Sequence, residues 1–427
     1  MLREEPSMND RIIFHIDINH CYAQIEEMLH PELRNVPMAV GGHEEKRQGI
    51  ILAKNDLAKA AGVLTGESLR EAREKDPDLL IIPPHYEDYM YYTGKVKEIY
   101  REYSDQVESF GLDEAWIDYT ASRNLFGDPE EVCSRIMERV NEEIGLKVSA
   151  GISWNKVFAK LGSDQKKQGS PFSITRENYK QTVWPLPVES LLYVGTATSI
   201  KLRSRAIRTI GELAGYSEYH LRNAMGMAGT MIHAFANGED TSPVSDVLRV
   251  TKPKSIGNSI TMIHDVYSLE ELKPVCYVLC EAVASRMREQ GLEGSTVYVS
   301  MRSTSLDWTG WERKMEQKTD VSEEIFNAAM SLASQYNFSL PLRAFGVSVS
   351  QMHPSKGARQ LSLFWDSRRY ERARRTDLAM DEIRSRYGFY AVRRACTLLD
   401  RPMTEINVKE DHTVHPVGYF QGRKMIV

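Results

Sequence analysis

The segment Arg11–Ile18 (RIIFHIDI) sets one carboxylate, Asp17, among Ile12, Ile13, Phe14, Ile16 and Ile18. A short apolar run of this kind reads as a buried strand. An ionised carboxylate in such a strand is costly unless a cation answers it, so the fold must bring a partner to Asp17. A second acidic point lies where Val107–Phe110 and Ala115–Tyr119, both strand-like, are joined through Gly111-Leu112-Asp113-Glu114. The order strand, long insertion, helix, two strands, helix, strand over the first 170 or so residues fits a ferredoxin-like βαββαβ unit. In that topology the first strand and the central hairpin are neighbours, so Asp17, Asp113 and Glu114 can converge on one sheet face.

The remaining elements follow from local signals. Asn19–Met28 looks helical, Pro37–Gly42 and Gly49–Ala53 look like short strands, and Asn55–Ala60 and Glu67–Lys75 like short helices. Leu79–Ile82 is a strand stopped by Pro83-Pro84. A long aromatic-rich helix is expected over His85–Tyr103, and Asp128-Pro129 opens another that ends near Gly145. Lys147–Ser153 reads as a strand and Asn155–Lys167 as a helix. Tyr179–Gly238 has no convincing strand and looks all-helical. Strands return at Ser295–Arg302 and Ala344–Gln351, with helices such as Pro274–Glu289, as in a separate small α+β domain.

At 427 residues the chain is too long for one core, and roughly two to four domains are expected. Its 42% hydrophobic and 26% charged content is that of a globular protein, with no apolar run long enough to span a bilayer. Met1–Asp10 lacks the pattern of a secretion signal. The five cysteines contain no CxxC pair, and Cys276 and Cys280 read as neighbours on one helix face. A cytoplasmic location with reduced thiols is expected. A net charge of −5 does not announce a nucleic-acid binder. Local clusters matter more: Lys201, Arg203, Arg205 and Arg208; Arg249, Lys252 and Lys254; and Arg368, Arg369, Arg372, Arg374 and Arg375. Each alone is more often a solvated face than a site.

Three carboxylates around one point repel unless divalent metal compensates. Oxygen-only donors suit Mg²⁺, and two such ions can stabilise the attacking and leaving oxygens of an in-line phosphoryl transfer. His15 shares a strand face with Asp17, which suits packing or a supporting hydrogen bond. No histidine or cysteine pattern suggests a competing chemistry.

The runs HIDINHCYAQIE (His15–Glu26), FGLDEAWID (Phe110–Asp118) and GISWNKVFAKLGSD (Gly151–Asp164), in this order and spacing, resemble the signature blocks of Y-family DNA polymerases, nearest the DNA polymerase IV-like branch. The resemblance covers about residues 11–365. It implies an α+β right hand: a ferredoxin-like palm (10–20 and 84–168), small fingers (21–83), an all-helical thumb (169–242), a linker (243–252), an α+β little finger (253–353) and a C-terminal tail (354–427). It implies two Mg²⁺ ions held by Asp17, Asp113 and Glu114, with the Ile18 carbonyl as a further ligand. The amides of His20 and Cys21 would approach the triphosphate at a helix start. Tyr22 falls at the steric-gate position, and Lys160 and Lys59 at positions that meet phosphate. The chain departs from many relatives at Ala53, Asp56 and Lys59, which carry a hydroxyl, a tyrosine and an arginine there. Weaker nucleotide binding is therefore expected.

Leu192–Thr198 followed by Ile200-Lys201-Leu202 resembles a helix–hairpin–helix, with Tyr193 replacing the usual first glycine and Gly195 retained. Gly195 and Lys201 would contact DNA backbone. Gln360-Leu361-Ser362-Leu363-Phe364 looks like a sliding-clamp peptide with Gln360, Leu361, Leu363 and Phe364 as anchors. The expected activity is error-tolerant, template-directed DNA synthesis in lesion bypass, by a monomer using primer–template and deoxynucleoside triphosphates, with no membrane partner. Two alternatives stand beside it: a catalytically weak polymerase-like protein that binds DNA and the clamp, and a palm-fold nucleotide cyclase. The tail past Trp365 has a basic helix-like stretch, Ser367–Arg386, that could fold back over the core or serve a partner.

Overall fold

In the computed structural model the described residues are 11–42, 49–165, 169–245, 253–355 and 366–407. They fall into two compact units that meet in sequence at the Val250–Thr251 boundary.

The first unit opens with β1 (Ile13–Ile18) and α1 (Cys21–Leu29). An insertion follows: β2 (Met38–Gly41), β3 (Ile51–Lys54), α2 (Asp56–Ala60), α3 (Leu69–Lys75) and β4 (Leu80–Ile82). Its own three-stranded sheet runs β3-β2-β4 over a small core of Ala39, Ile51, Ala58, Val63, Leu69, Ala72 and Leu79. The two short helices persist because both are capped. The Asn55 side chain accepts from Ala58 N–H, and Ser68 and Glu71 form a reciprocal capping box.

The chain then continues through α4 (Tyr86–Tyr103), the hairpin β5 (Val107–Phe110)–β6 (Glu114–Asp118), α5 (Arg123–Phe126), α6 (Pro129–Ile144), β7 (Val148–Ser153), α7 (Lys156–Gln165) and β8 (Phe172–Ser173). The sheet order β5-β6-β1-β7 is the ferredoxin-like arrangement expected, with β1 central and antiparallel to both neighbours. β8, which the sequence did not signal, adds a fifth strand parallel to β7. Asp128 caps α6 through Glu130 and Glu131 N–H, and Gly145 ends it at φ 89°.

The segment Tyr179–Ala236 is helical: α8 (Tyr179–Thr182), α9 (Thr196–Arg203), α10 (Ile210–Ala214), α11 (Glu218–Met225) and α12 (Met227–Ala236). Its core, including Val183, Leu202, Ile210, Leu213 and Ile232, is continuous with Trp154 and Phe158 of the sheet domain. The Trp154 indole and the Asn155 amide both donate to Gly238 O, at 2.9 and 3.2 Å, which clips the end of the helical segment to the start of α7.

The second unit is an antiparallel sheet, β11-β10-β12-β9, made of β9 (Ser255–Val266), β10 (Leu292–Ser303), β11 (Trp308–Thr319) and β12 (Leu342–Ser350). The helices α13 (Leu269–Glu289) and α14 (Ser322–Ala333) bury their apolar faces with it in one core. α13 starts before the expected Pro274, because Ser268 caps it by accepting from Glu271 N–H. Cys276 and Cys280 are free, buried and adjacent on this helix, with Sγ atoms 3.9 Å apart.

The basic tail does fold back. α15 (Ser367–Tyr387) and α16 (Arg401–Thr404) pack on this unit, and Met403 and Ile406 join its core. Buried Asp377 accepts from Ser322 N and Oγ at 2.8 and 2.6 Å, from Arg394 at 2.8 Å and from Arg288 at 3.2 Å. Glu281 takes Arg384 and Arg394, and Asp320 takes Arg374. Of the expected third basic cluster, Arg374 and Arg369 are thus committed to acids of this same unit. No helix among the described residues is long and apolar enough to cross a membrane.

Candidate active site

β1 carries His15 and Asp17 on one face, and the antiparallel register sets them opposite Trp116 and Glu114 of β6. Directly opposed residues share a sheet face, so Asp17 and Glu114 stand side by side. Asp113 comes from the turn before β6. It is tied to the end of β1 by Ile18 N–H donating to Asp113 O at 3.1 Å. Gly111 makes this turn with φ 79°, and a Cβ there would sit 3.3 Å from Asp113 Oδ1. The backbone positions of Asp17, Asp113 and Glu114 are therefore neighbours at one end of the sheet.

α7 reaches the same face because two glycines let backbone lie on backbone. A Cβ on Gly151 would come within 2.1 Å of Ala159 O, and one on Gly162 within 3.0 Å of Gly151 Cα. This close approach delivers Lys160 and Ser163. Lys160 Nζ pairs with Glu114 Oε2. Buried His15 bonds the same carboxylate through Nε2 at 3.0 Å and Ser163 Oγ through Nδ1 at 2.7 Å. An ionised carboxylate only accepts, so Nε2 carries the proton toward Glu114. Burial holds the His15 pKa below its ordinary value. Burial alone would raise the Glu114 carboxyl, but His15 and Lys160 outweigh it and hold it below the usual range. Asp113 goes the other way, raised chiefly by burial and further by the neighbouring Glu114 charge.

Among the described residues, no three His, Cys, Asp or Glu side chains form a ready-made metal cage. The expected tight convergence of three acids is corrected to this extent: Glu114 is turned to His15 and Lys160, which disperses the like charges. The donor set still fits Mg²⁺. That ion takes one or two protein carboxylates and completes its shell with water and phosphate oxygens, and Asp113 is a half-buried carboxyl whose ionised form a cation would favour.

Beside the acids lies a cavity of about 310 Å³. His20, Cys21, Tyr22 and Asp113 line one side, and Leu52, Ala53, Lys54 and Thr65 the other. The β1–α1 connection that shapes it is fixed by Asn19, whose N–H donates to Lys147 O at 3.1 Å and whose Oδ1 accepts from Ser149 Oγ at 2.6 Å. His20 then turns left-handed, φ 36°, and α1 begins with no side-chain cap. The helix start at His20, Cys21 and Tyr22 lines the cavity, and a helix start favours anions. The Cys21 thiol is pushed well up by burial, then by Asp113 and Asp17, and is inert.

Tyr22 stacks on Tyr89 of α4, with centroids 4.4 Å apart and planes 9° from parallel, and meets Tyr86 edge-on at 5.9 Å. Tyr89 OH donates to buried Glu26, which also bonds His85 Nδ1 at 2.8 Å. This support was not legible in the sequence. Nor was Lys97, a buried α4 lysine that donates to Gly111 O at 3.2 Å and whose pKa burial lowers to about 8 against the pull of Asp113. The signal that could have found Lys97 is one lysine on an otherwise apolar helix face.

Not every expected residue gathers here. Lys160 is engaged with Glu114 and does not line the cavity. Lys59 and Asp56 are exposed on α2 and lie outside it. In the hairpin of the helical segment Tyr193 adopts φ 68°, the left-handed conformation a glycine would supply without strain. The hairpin shape therefore survives the substitution. Gly195 caps α9, and Lys201 is exposed on it. Gln360, Leu361, Leu363 and Phe364 lie outside the described residues, as do Arg249 and Lys252.

Comparison with known proteins agrees with this geometry. Residues 16–164 match the impB/mucB/samB family and residues 253–363 that family's C-terminal domain. A DNA polymerase IV of Acetivibrio thermocellus is 41% identical over 93% of this chain and 100% of its own length. A DNA polymerase IV 2 of Bacillus subtilis is 36% identical over 92% and 95%. The solved structure of a Y-family DNA polymerase chimera, Dbh-Dpo4(243-245)-Dbh, superposes with a TM-score of 0.70 over 80% of this chain and 98% of that one, at 18% identity. With both family segments matched in order and relatives aligned over nearly their whole length, the chain belongs to the impB/mucB/samB family, the Y-family DNA polymerases.

Proposed function

We propose that this chain adds deoxynucleotides to a primer 3′-hydroxyl under template direction and does so in lesion bypass. The observation that carries this reading is the juxtaposition of Asp17, Asp113 and Glu114 with a cavity that opens on the start of α1. Asp17, Asp113, Glu114 and the Ile18 carbonyl would hold two Mg²⁺ ions. When bound, such ions stabilise the attacking and leaving oxygens of phosphoryl transfer.

The chain's own residues do the rest. The amides of His20 and Cys21 orient the triphosphate. Tyr22 lies under the sugar and excludes a 2′-hydroxyl. Lys160 pairs with Glu114 and keeps it ionised. His15 and Ser163 fix the Glu114 rotamer, a positioning role. The hairpin with Gly195 and Lys201, and the second unit's sheet, would grip DNA backbone, with affinity that falls as salt rises. Gln360, Leu361, Leu363 and Phe364 would dock a sliding clamp and raise the local concentration of the enzyme at the primer end. The domain limits 10–20 with 84–168, 21–83, 169–242 and 253–353 remain our assignment of palm, fingers, thumb and little finger.

Primer extension with Mg²⁺ and four deoxynucleotides tests the reading, with Asp113→Ala as control. Extension by the wild type that is lost in the variant, with primer–template still bound, supports it. Turnover near wild type in Asp113→Ala removes the metal assignment. DNA binding without any wild-type extension favours the accessory-protein alternative.

A further inference from the structure

α4 turns a polar stripe inward. Thr93, Lys97 and Tyr100 are all buried, and they recur at i, i+4 and i+7, on one helix face. An apolar side chain would fill the Lys97 position at lower cost, because a buried ammonium needs a partner. What Lys97 meets is the hairpin that carries the acids. Its one hydrogen bond among the described residues runs from Nζ to Gly111 O at 3.2 Å. The acid whose charge bears on it is Asp113, while Cys21 and Arg101 act on it more weakly.

Gly111 turns the chain between β5 and Asp113 at φ 79° and has no side chain to anchor it. A Cβ there would stand 3.3 Å from Asp113 Oδ1, so the carboxylate lies against the turn. Asp113 O accepts from Ile18 N–H at 3.1 Å, which ties one side of the turn to β1. Lys97 ties the other side to α4. Two lysines favour the ionised form of Asp113, Lys97 and Lys160, and the second is already paired with Glu114. The adjacent acids are thus supported from different helices, Glu114 from α7 and Asp113 from α4.

We propose that Lys97 is a positioning residue for Asp113: its ammonium grips the Gly111 carbonyl and fixes the turn that presents the Asp113 carboxylate to the reacting groups. The proposal rests on the reading of Asp113 as a metal-holding acid of a polymerase. It also says why a charge is kept at a position where a methionine would pack.

The experiment compares wild type, Lys97→Met and Lys97→Arg in single-turnover nucleotide insertion on primer–template with Mg²⁺. Melting temperature and amide hydrogen exchange are measured on the same full-length proteins without metal. Lys97→Met should lower the maximal insertion rate roughly 10- to 100-fold, the scale for a misplacement of about 1 Å. The Kd values for nucleotide and DNA should be unchanged, and the melting temperature should be at or above that of wild type. Exchange should quicken at Ile18 and over Phe110–Glu114, and not across the rest of the sheet. Lys97→Arg, which restores donor and charge, should recover most of the rate. Should arginine prove too large, shown by a lower melting temperature, Lys97→Gln keeps a donor and should recover part of it. An unchanged rate in Lys97→Met overturns the proposal. So does a rate loss that comes with a lower melting temperature and quickened exchange throughout the sheet, which marks a merely structural lysine. Failure of the polymerase reading looks different, since the wild type itself would then insert no nucleotide.

Discussion

The Tyr22 ring is held from behind, and its selectivity should depend on that support. Tyr89 stacks on it at 4.4 Å, and Tyr86 touches only its edge. Replacing Tyr89 by Ala removes a stacked pair worth about 0.5–1.5 kcal/mol beyond burial and leaves Tyr22 free to swing from its stacked position. Each 1.36 kcal/mol is tenfold in a rate ratio, so the deoxy-to-ribo preference should fall by roughly 2- to 12-fold with Tyr22 still present. Tyr22→Ala, which deletes the ring, should cost more. Tyr89→Phe keeps the stack and drops only the hydroxyl that donates to Glu26. It should retain selectivity while losing about 0.5–1.5 kcal/mol of stability, because the buried Glu26 oxygen loses one of its two partners and keeps His85. The assay is kcat/KM for dCTP and rCTP opposite a template guanine. If Tyr89→Ala selects as wild type does while Tyr22→Ala does not, the stack has no part in positioning the gate.

Three further outcomes are expected. Asp377→Ala should destabilise the second unit by about 1–3 kcal/mol in urea unfolding, since it removes the acceptor of the buried Ser322 N–H at the start of α14, while Arg288 and Arg394 keep Asp381 and Glu281; no measurable loss would mean the network acts as a surface pair. Lys97, lowered to about 8 by burial, binds fewer protons folded than unfolded between that value and its ordinary 10.5; metal-free stability should therefore rise with pH through this window, and Lys97→Met should flatten the rise in a pH series of melts. Deleting Gln360–Phe364 should spare distributive synthesis and abolish stimulation by a sliding clamp; stimulation that survives places the contact elsewhere.

Local signals carried much of the architecture. The Asp128-Pro129 start and Gly145 stop of α6, and the hairpin strand Val107–Phe110, were readable because each rests on neighbours in sequence. β11 escaped notice because it is an edge strand with exposed residues such as Glu312 and Lys314, and therefore lacks the alternation of a half-buried strand. The start of α13 was misplaced because Pro274 outranked the quieter Ser268 cap. At the site, Asp17, Asp113, Glu114 and Tyr22 could be named from the sequence as candidates, but their partners could not. Ser163 meets His15 across 148 positions, and Tyr89 meets Glu26 across 63. Such contacts exist only once the Gly151–Gly162 approach and the packing of α1 on α4 have formed.

Charge shows why composition misled in one region and informed in another. The arginine-rich stretch 368–375 and the acids of the first unit look alike in a sequence, as dense charge. Asp320, Asp377 and Glu281 are each answered by arginines of α15 or the segment after it, so that part of the tail's charge, Arg374 included, holds the tail to its unit. At the site the balance is different. Burial raises the Asp113 carboxyl and lowers the Lys97 ammonium although each charge favours the other. Two ionisable groups pushed toward neutrality in one place cost stability, and a fold that keeps them does so where the charged forms will meet a charged ligand. By that criterion the first unit's acids are the candidates for function and the paired arginines of the tail are structural, a distinction resting on how completely each charge is paired and not on how many there are.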